Sequence, residues 1–347
     1  MERILPSGAY AAGTALRVSS AGGGTDSQRV APEMENKKKE MQGFMIGIVI
    51  LNYNSWQDAE ECIQSICRSE QNAGYCIYLV DNASPERPSA AVLRYLRETG
   101  VRLLQSDRNR GYSAGNNIGI KKALEDGCDA ILISNTDVRY EPGSISGLKS
   151  YLDVHPDVGI VGPKIILGDG KLQRECMMFK TGPREKYLLR TRFHIFFPGY
   201  NRRYWGREHD YDRETFPVYA VMGCCFMMSR ACALDVTPLD ENTFLYEEEL
   251  ILGIHMERAG WKTVYYPGSV IHHLHGKTTE RVKAFAYTCN VCSEIYYCRE
   301  YLGMKRREIW PLYGYRTMVY WGKCLCDREY QNGKKKYIYE TFEEMRK

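Results

Sequence analysis

An apolar run, Ile131-Leu132-Ile133, passes through Ser134 into Asn135-Thr136-Asp137. Asn, Thr and Asp are common turn residues, and a strand has to end somewhere. A carboxylate at the carboxyl end of a strand in an open α/β sheet also points into the crevice where ligands bind. The same design occurs twice earlier: one apolar run ends in Asn52-Tyr53-Asn54 and another in Asp81-Asn82. One polar strand end is a turn; three on the same sheet edge, two of them carrying Asp, read as a ligand site. Farther along, Glu247, Glu248 and Glu249 open a helical pattern. A single carboxylate suffices to take a proton from an attacking hydroxyl, and acids in a first turn also complement the helix dipole. The stretch "VIHHLHGKT" holds His272, His273 and His275, with no Cys pair at zinc spacing inside it.

The elements that hold these positions follow from the apolar pattern. From Met45, "MIGIVILNYN" opens with a short, wholly apolar run, as a strand buried on both faces does. A helix follows near Asp58 to Arg68, with Cys62, Ile63 and Ile66 at helical spacing. "CIYLVDNAS" is a second strand, "ERPSAAVLRYLRETG" a helix closed by Gly100, and "VRLLQS" a third strand. "GYSAGNNIGIKKALEDG" is a loop leading into a helix closed by Gly127, and "DAILISNTD" is the fourth strand. Strands alternating with helices predict a mainly parallel sheet with helices on both faces. "MGCCFMMSR" reads as a further strand behind a tight Gly turn. "AFAYTCNVCSEIYYCREYL" reads as a helix with Phe285, Cys289, Cys292 and Tyr296 on one face. A zinc site built from "CNVC" and "CLC" is the weaker alternative, because free Cys commonly packs as a small hydrophobe.

Composition sets the outer bounds. The chain has 347 residues, 44% hydrophobic and 26% charged, enough for one large domain or two small ones. A net charge of +4 is too weak to point to nucleic acid. No apolar run approaches the roughly 18 residues of a membrane span, and the N-terminus lacks the apolar core of a secretory signal. Thirteen cysteines without a framework pattern fit reduced thiols in a cytosol. Residues 1–43 are rich in Gly, Ala and Ser and show no apolar period. They read as disordered, or as an extension upstream of a later start at Met34, Met41 or Met45. From Met304 on, Arg306, Arg307, Trp310 and Lys334 to Lys336 stand among many tyrosines. That mixture suits the surface of an anionic membrane, and a solvated helical tail equally well.

Eight stretches follow one another between Met45 and Leu302: "VILNYNS", "LVDNAS", "NRGYSAGNN", "SNTDV", "GPKI", "VMGCCFMMSR", "FLYEEELILGIHMERAGW" and "VIHHLHGKT". In that order they resemble family 2 of the inverting glycosyltransferases, in its bacterial rhamnosyltransferase-like branch. The resemblance implies a GT-A fold: an α/β, mainly parallel, Rossmann-like sheet flanked by helices, with a C-terminal helical tail. It implies a nucleotide-binding half over about 44–140, an acceptor and catalytic half over about 141–280, and a helical extension over 281–347. It also implies a nucleotide-diphosphate sugar as donor (dTDP-rhamnose or a UDP-sugar) and a divalent metal, Mg²⁺ or Mn²⁺. The implied acceptor is a polysaccharide or a lipid-linked saccharide, met in the cytoplasm at the inner face of the cell membrane.

By the same resemblance Asn52, Tyr53 and Asp81 hold the nucleoside, Tyr53 by stacking and Asp81 by accepting from the ribose or the base. Arg110 pairs with the diphosphate, and Asn117 faces the donor. Asp137 binds the metal; the family's Asp-x-Asp is Asn-x-Asp here, and Asn135 touches the ribose or a metal-bound water. His273 sits by the metal and diphosphate, with His275 as the alternative and Lys277 at a phosphate. Glu249 is the base and Glu248 the first acid of the pair, while Glu247 leaves that register open by one position. Met222 and Gly223 line the sugar pocket, and the basic, aromatic stretch from Phe179 to Pro217 helps to choose the acceptor. Two other readings stay open: a non-catalytic nucleotide-sugar binding module, and a sugar-nucleotide pyrophosphorylase, for which "LNYNSW" lacks a Gly-rich basic loop.

Overall fold

A computed structural model describes residues 45–71, 74–274 and 282–347. The expected N-terminal extension, His275 and Lys277 lie outside the described residues. Four apolar runs form the parallel strands β1 (Ile46–Asn52), β2 (Tyr75–Asp81), β3 (Arg102–Gln105) and β4 (Ala130–Asn135), in the order β3-β2-β1-β4. β1, β2 and β4 are apolar on both faces because helices cover both, while β3, at the sheet edge, is only half-buried. Ile46, Ile48 and Ile50 pack with α1 (Trp56–Ser69) and α2 (Ala90–Glu98). Val49, Tyr78 and Val80 pack with α3 (Gly111–Glu125) on the other side.

The parallel pattern holds over these four strands and is mixed beyond them. β8 (Cys225–Ser229) inserts antiparallel between β4 and β6 (Val158–Leu167). β9 (Lys262–His273) runs parallel to β6, and β5 (Val138–Tyr140) and β7 (Phe216–Val218) pair antiparallel to it. A buried strand is apolar whichever way its neighbour runs, so the sequence carried no signal for this reversal. The stretch expected as a loop before α3 is helical from Gly111 onward. Its small residues are what let the helix lie on β1: a Cβ on Gly119 would fall 2.4 Å from Val49.

Three C-terminal helices, α9 (Lys283–Glu300), α10 (Arg306–Cys326) and α11 (Arg328–Arg346), build a core of their own from Val291, Ile295, Leu312, Tyr320 and Tyr337. The Tyr320 and Tyr337 rings stack with centroids 3.9 Å apart. These helices are fastened to the sheet domain: Ser293 donates to the Leu245 carbonyl at 2.7 Å, and Tyr297 to that of Thr181 at 2.9 Å. All thirteen cysteines are unbridged, with Cys289 and Cys298 buried in α9 packing. Among the described residues no three His, Cys, Asp or Glu gather as a metal cage, and no helix is long and apolar enough to cross a membrane.

Candidate active site

The polar strand ends lie side by side. Asn52 is in register with Asp81, and Leu51 with Asn135. Asn52 is fully buried and ties the first two ends together. Its amide donates to Asp81 Oδ1 at 3.4 Å and to Ser84 Oγ at 3.3 Å, and its oxygen accepts from the Ser55 amide at 3.1 Å. Ser84 donates its hydroxyl to Asp81 Oδ1 at 2.5 Å. None of these bonds uses Asp81 Oδ2. Tyr53, 38% exposed, stands at the rim of a cleft of about 640 Å³. Asn82, Asn109, Asn135, Asp137 and His273 also line it.

Asn82, named in the sequence only as part of the second polar strand end and given no role of its own, organises one wall. Its amide donates to Asn109 Oδ1 at 2.9 Å and to the Gly111 carbonyl at 3.0 Å, and its oxygen accepts from the Arg110 amide at 3.1 Å. Gly111 is the residue that makes this turn feasible. It sits at φ 81°, and a Cβ there would lie 2.2 Å from the Phe244 carbonyl oxygen. The adjacent Tyr112 amide donates to that oxygen at 2.8 Å. The turn after β3 is thereby joined to the segment that leads into α8 (Glu248–Ala259).

Four of the expected donor contacts are absent from the lining of this cleft: Asn52 and Asp81, both buried behind it, and Arg110 and Asn117. The Arg110 guanidinium is paired with Asp107 at 3.0 Å. Asn117 is buried and turned away from the donor side: its amide donates to the Leu239 carbonyl at 2.9 Å and to Glu241 at 2.8 Å, and its oxygen accepts from the Leu239 amide at 2.8 Å. Both donor hydrogens are used, so the side chain clamps the 239–241 loop onto α3. Asn117→Ala is expected to destabilise the protein by about 1–3 kcal/mol, the cost of leaving buried partners unpaired, without a matching loss of nucleotide-sugar affinity. Thermal melts and calorimetry on one preparation check both halves.

The metal end is built by β4 and β9. Asp137 follows β4, its neighbour Val138 pairs with His273, and Asp137 Oδ1 lies 3.3 Å from His273 Nε2. One carboxylate and one imidazole on the cleft wall fit a cation held jointly with a diphosphate, whose oxygens complete the shell. They do not fit a metal caged by protein alone.

The acidic triplet divides by environment. Glu247 is buried, and its carboxylate meets Lys186 Nζ at 2.5 Å. Lys186, on α5 (Pro183–Leu188), also lies 3.5 Å from Glu294, which Arg316 holds at 2.7 and 2.9 Å. That ion cluster takes Glu247 out of contention as a base. Glu248 Oε2 is buried and has no hydrogen-bond partner among the described residues. Burial, and then the Glu249 charge, hold its carboxyl well above the usual range. Glu249 is raised by burial too, but its Oε1 accepts from the Gly223 amide at 3.1 Å, which favours the charged form. Of the two, Glu248 is the one to keep the shared proton and Glu249 the one to ionise. A Cβ on Gly223 would fall 2.8 Å from Glu249 Oε1, so this approach depends on glycine.

Two further observations tie the ends together. The Cys224 carbonyl accepts from the Asn135 amide at 2.9 Å. Burial pushes the Cys224 thiol up, and the charges of Cys225, Asp137 and Glu249 add to the effect, so one residue senses both the metal end and the base end. Asn54, Ala83, Tyr246 and Glu247 have φ of 55°, 59°, 73° and 70°, left-handed values that non-glycine residues rarely adopt. All four sit on segments that follow β1 or β2 or lead into α8, and strain of this kind collects at working sites.

A mixed α/β sheet with its polar strand ends, a carboxylate–imidazole pair and an ionisable glutamate on one edge is the frame of a sugar-transferring enzyme, and the comparisons name the class. Residues 47–233, more than half of the chain, match the family model "Glycosyl transferase family 2". The chain belongs to that family and is a glycosyltransferase, which sets the pyrophosphorylase reading aside. Its likeness is to the rhamnosyltransferase-like branch. It is 29% identical over 243 residues to an N-acetylglucosaminyl-diphospho-decaprenol L-rhamnosyltransferase of Mycobacterium tuberculosis, covering 66% of this chain and 76% of that one. It is 26% identical over 207 residues to the low-salt glycan biosynthesis hexosyltransferase Agl10 of Haloferax volcanii, covering 59% of each. A crystal structure of GalNAc-T7 with UDP, GalNAc and Mn²⁺ superposes with a TM-score of 0.52 at 14% identity. That match covers 79% of this chain and only 54% of the other, and it speaks for the fold alone.

Proposed function

We propose that this glycosyltransferase moves a sugar from a nucleotide-diphosphate sugar, dTDP-rhamnose or a UDP-sugar, to a hydroxyl of a polysaccharide or lipid-linked oligosaccharide. The transfer is a single displacement that inverts the anomeric centre. The observation that carries the reading is the Gly223-Cys224 stretch, which touches Glu249 with one residue and Asn135 with the next. A base and a diphosphate site so linked suit attack on one side of a sugar and departure on the other. The decaprenol-linked acceptor in the name of the mycobacterial relative supports the lipid-linked choice.

In this mechanism Tyr53 stacks on the base, and Asp81 accepts from a ribose hydroxyl through Oδ2, with Asn52 and Ser84 holding Oδ1. Asn135 contacts the ribose, and Asp137 with His273 would hold Mg²⁺ or Mn²⁺. When bound, the cation supplies charge neutralisation to the departing diphosphate. Glu249 takes the acceptor proton. The Gly223 amide fixes Oε1, and among the described residues Oε2 carries no hydrogen bond that would compete. A pKa raised above that of an ordinary carboxylate makes it the stronger base near neutral pH. The same reading has the protein peripheral on the inner face of the cell membrane. Trp310, Met318, Trp321 and Leu325, all exposed on α10, support it.

The test is calorimetry with a panel of nucleotide sugars, with and without Mn²⁺ or Mg²⁺. One donor is expected to bind in the presence of metal, and Asp137→Ala is expected to weaken it at least about tenfold, or ~1.4 kcal/mol. No binding of any nucleotide sugar under any condition would overturn the reading.

A further inference from the structure

The insertion between β6 and β7 holds a second cavity, of about 490 Å³, away from the cleft residues described above. Arg174, Arg202 and Arg207 line it together with His194 and Asn201, and no carboxylate does. Among the described residues none of the three guanidinium groups forms a salt bridge. Asp212, whose carboxylate feels Arg174, is held instead by Lys164 at 2.5 Å. Elsewhere in the chain Arg102, Arg110, Arg139, Arg299 and Arg316 each meet a carboxylate. Three guanidinium groups on one hollow that no carboxylate lines form a field that draws in an anion. The planar fork of a guanidinium matches phosphate oxygens in particular.

The rim of this hollow is apolar. Phe193, Ile195 and Phe196 are 53%, 63% and 69% exposed on the turn Arg192–Phe196, and Ile195 also lines the cavity. The turn is anchored: Thr191 Oγ1 accepts from the Phe193 amide at 3.2 Å, and Tyr315 accepts from the Arg192 amide at 2.9 Å. Large apolar groups held out on an anchored turn mark a contact surface. The same insertion carries Lys186, whose ion pair with Glu247 fixes the entry to α8, so hollow and acidic helix share one support.

We infer that this hollow binds the phosphate or diphosphate of an amphiphile, whose apolar chain lies on Phe193, Ile195 and Phe196. Two sources carry that chemistry: the lipid diphosphate of the acceptor, and the headgroup of an anionic bilayer lipid. Assigning the site to the acceptor rests on the function proposed above; the phosphate chemistry does not.

The probes are farnesyl diphosphate, inorganic pyrophosphate, and vesicles containing phosphatidylglycerol, all on the full chain. Farnesyl diphosphate is expected to bind, to be displaced by pyrophosphate, and to lose at least tenfold in affinity in Arg202→Gln/Arg207→Gln. Phe193→Ser/Phe196→Ser is expected to lower its affinity to that of pyrophosphate and to leave pyrophosphate binding as it was. Arginine-dependent binding of the vesicles without binding of farnesyl diphosphate would keep the site and name the headgroup as its ligand. The inference is overturned if no probe binds, if binding ignores the arginines, or if a nucleoside without phosphate, uridine or thymidine, displaces farnesyl diphosphate, which would put the probe in the nucleotide cleft. Competition on the wild-type chain does not depend on how well a variant folds. Nucleotide-sugar binding on that chain is a separate readout: its failure beside intact farnesyl diphosphate binding would sink the transferase mechanism and spare the hollow.

Discussion

Glu249→Gln is expected to lower kcat by about 10²–10⁴-fold, the usual worth of a positioned base, and to leave nucleotide-sugar affinity unchanged. The amide keeps the shape of the side chain and its acceptor oxygen for Gly223, but it cannot take a proton. Glu248→Gln is expected to do less, because Glu248 is the member of the pair that burial and the Glu249 charge keep protonated. If the two variants exchange these phenotypes, the base is one position earlier. The pH profile gives an independent reading. The base works ionised, and burial raises its pKa above the ordinary glutamate value of 4.5. The rate therefore falls as pH drops through that raised pKa, and the acid limb of kcat is expected above pH 4.5. The limb is expected to disappear with the residual activity of Glu249→Gln.

The second large effect is expected far from any substrate. Lys186→Met leaves Glu247 buried without its cation, and breaking a buried pair costs about 3–5 kcal/mol. Burial works against the charge of Lys186, but the Glu247 and Glu294 carboxylates outweigh it and keep the ammonium protonated. Glu247 is also the left-handed residue that caps α8, so its displacement moves Glu249, two residues on. Lys186→Met is expected to lower the melting temperature and kcat together, with a smaller effect on donor KM. In Lys186→Met/Glu247→Gln no carboxylate is stranded at that position, and much of the lost stability should return. A double-mutant cycle read by thermal melts measures this coupling. Additive losses would mean that the pair does not act as a unit.

The parts of the site that were legible in the sequence are those set by a strand. Asn52, Asp81, Asn135 and Asp137 follow apolar runs, and parallel pairing puts such ends on one edge whatever the loops do. What stayed hidden depends on partners distant in the chain. In the sequence Asn82 and Asn117 are both plain polar residues, one at a strand end and one in "SAGNNIG". Only the fold shows that one braces the cleft and the other clamps a loop 122 residues away. Glu247 could not be told from its two acidic neighbours, because the lysine that claims it lies 61 residues earlier. Nothing in the sequence shows that Phe244 is what approaches Gly111. The helical start of α3 shows tertiary packing overriding propensity: Gly and Asn favour a loop, but only small residues let this helix sit against Leu51 and Val49.

The most direct test of single displacement is the anomeric configuration of the product. With the nucleotide sugar that binds and a lipid-linked acceptor, NMR of the new linkage should show the anomer opposite to that of the donor. Glu249→Gln should form almost none of it. A retained configuration, or undiminished turnover by Glu249→Gln, would contradict single displacement with this carboxylate as the base.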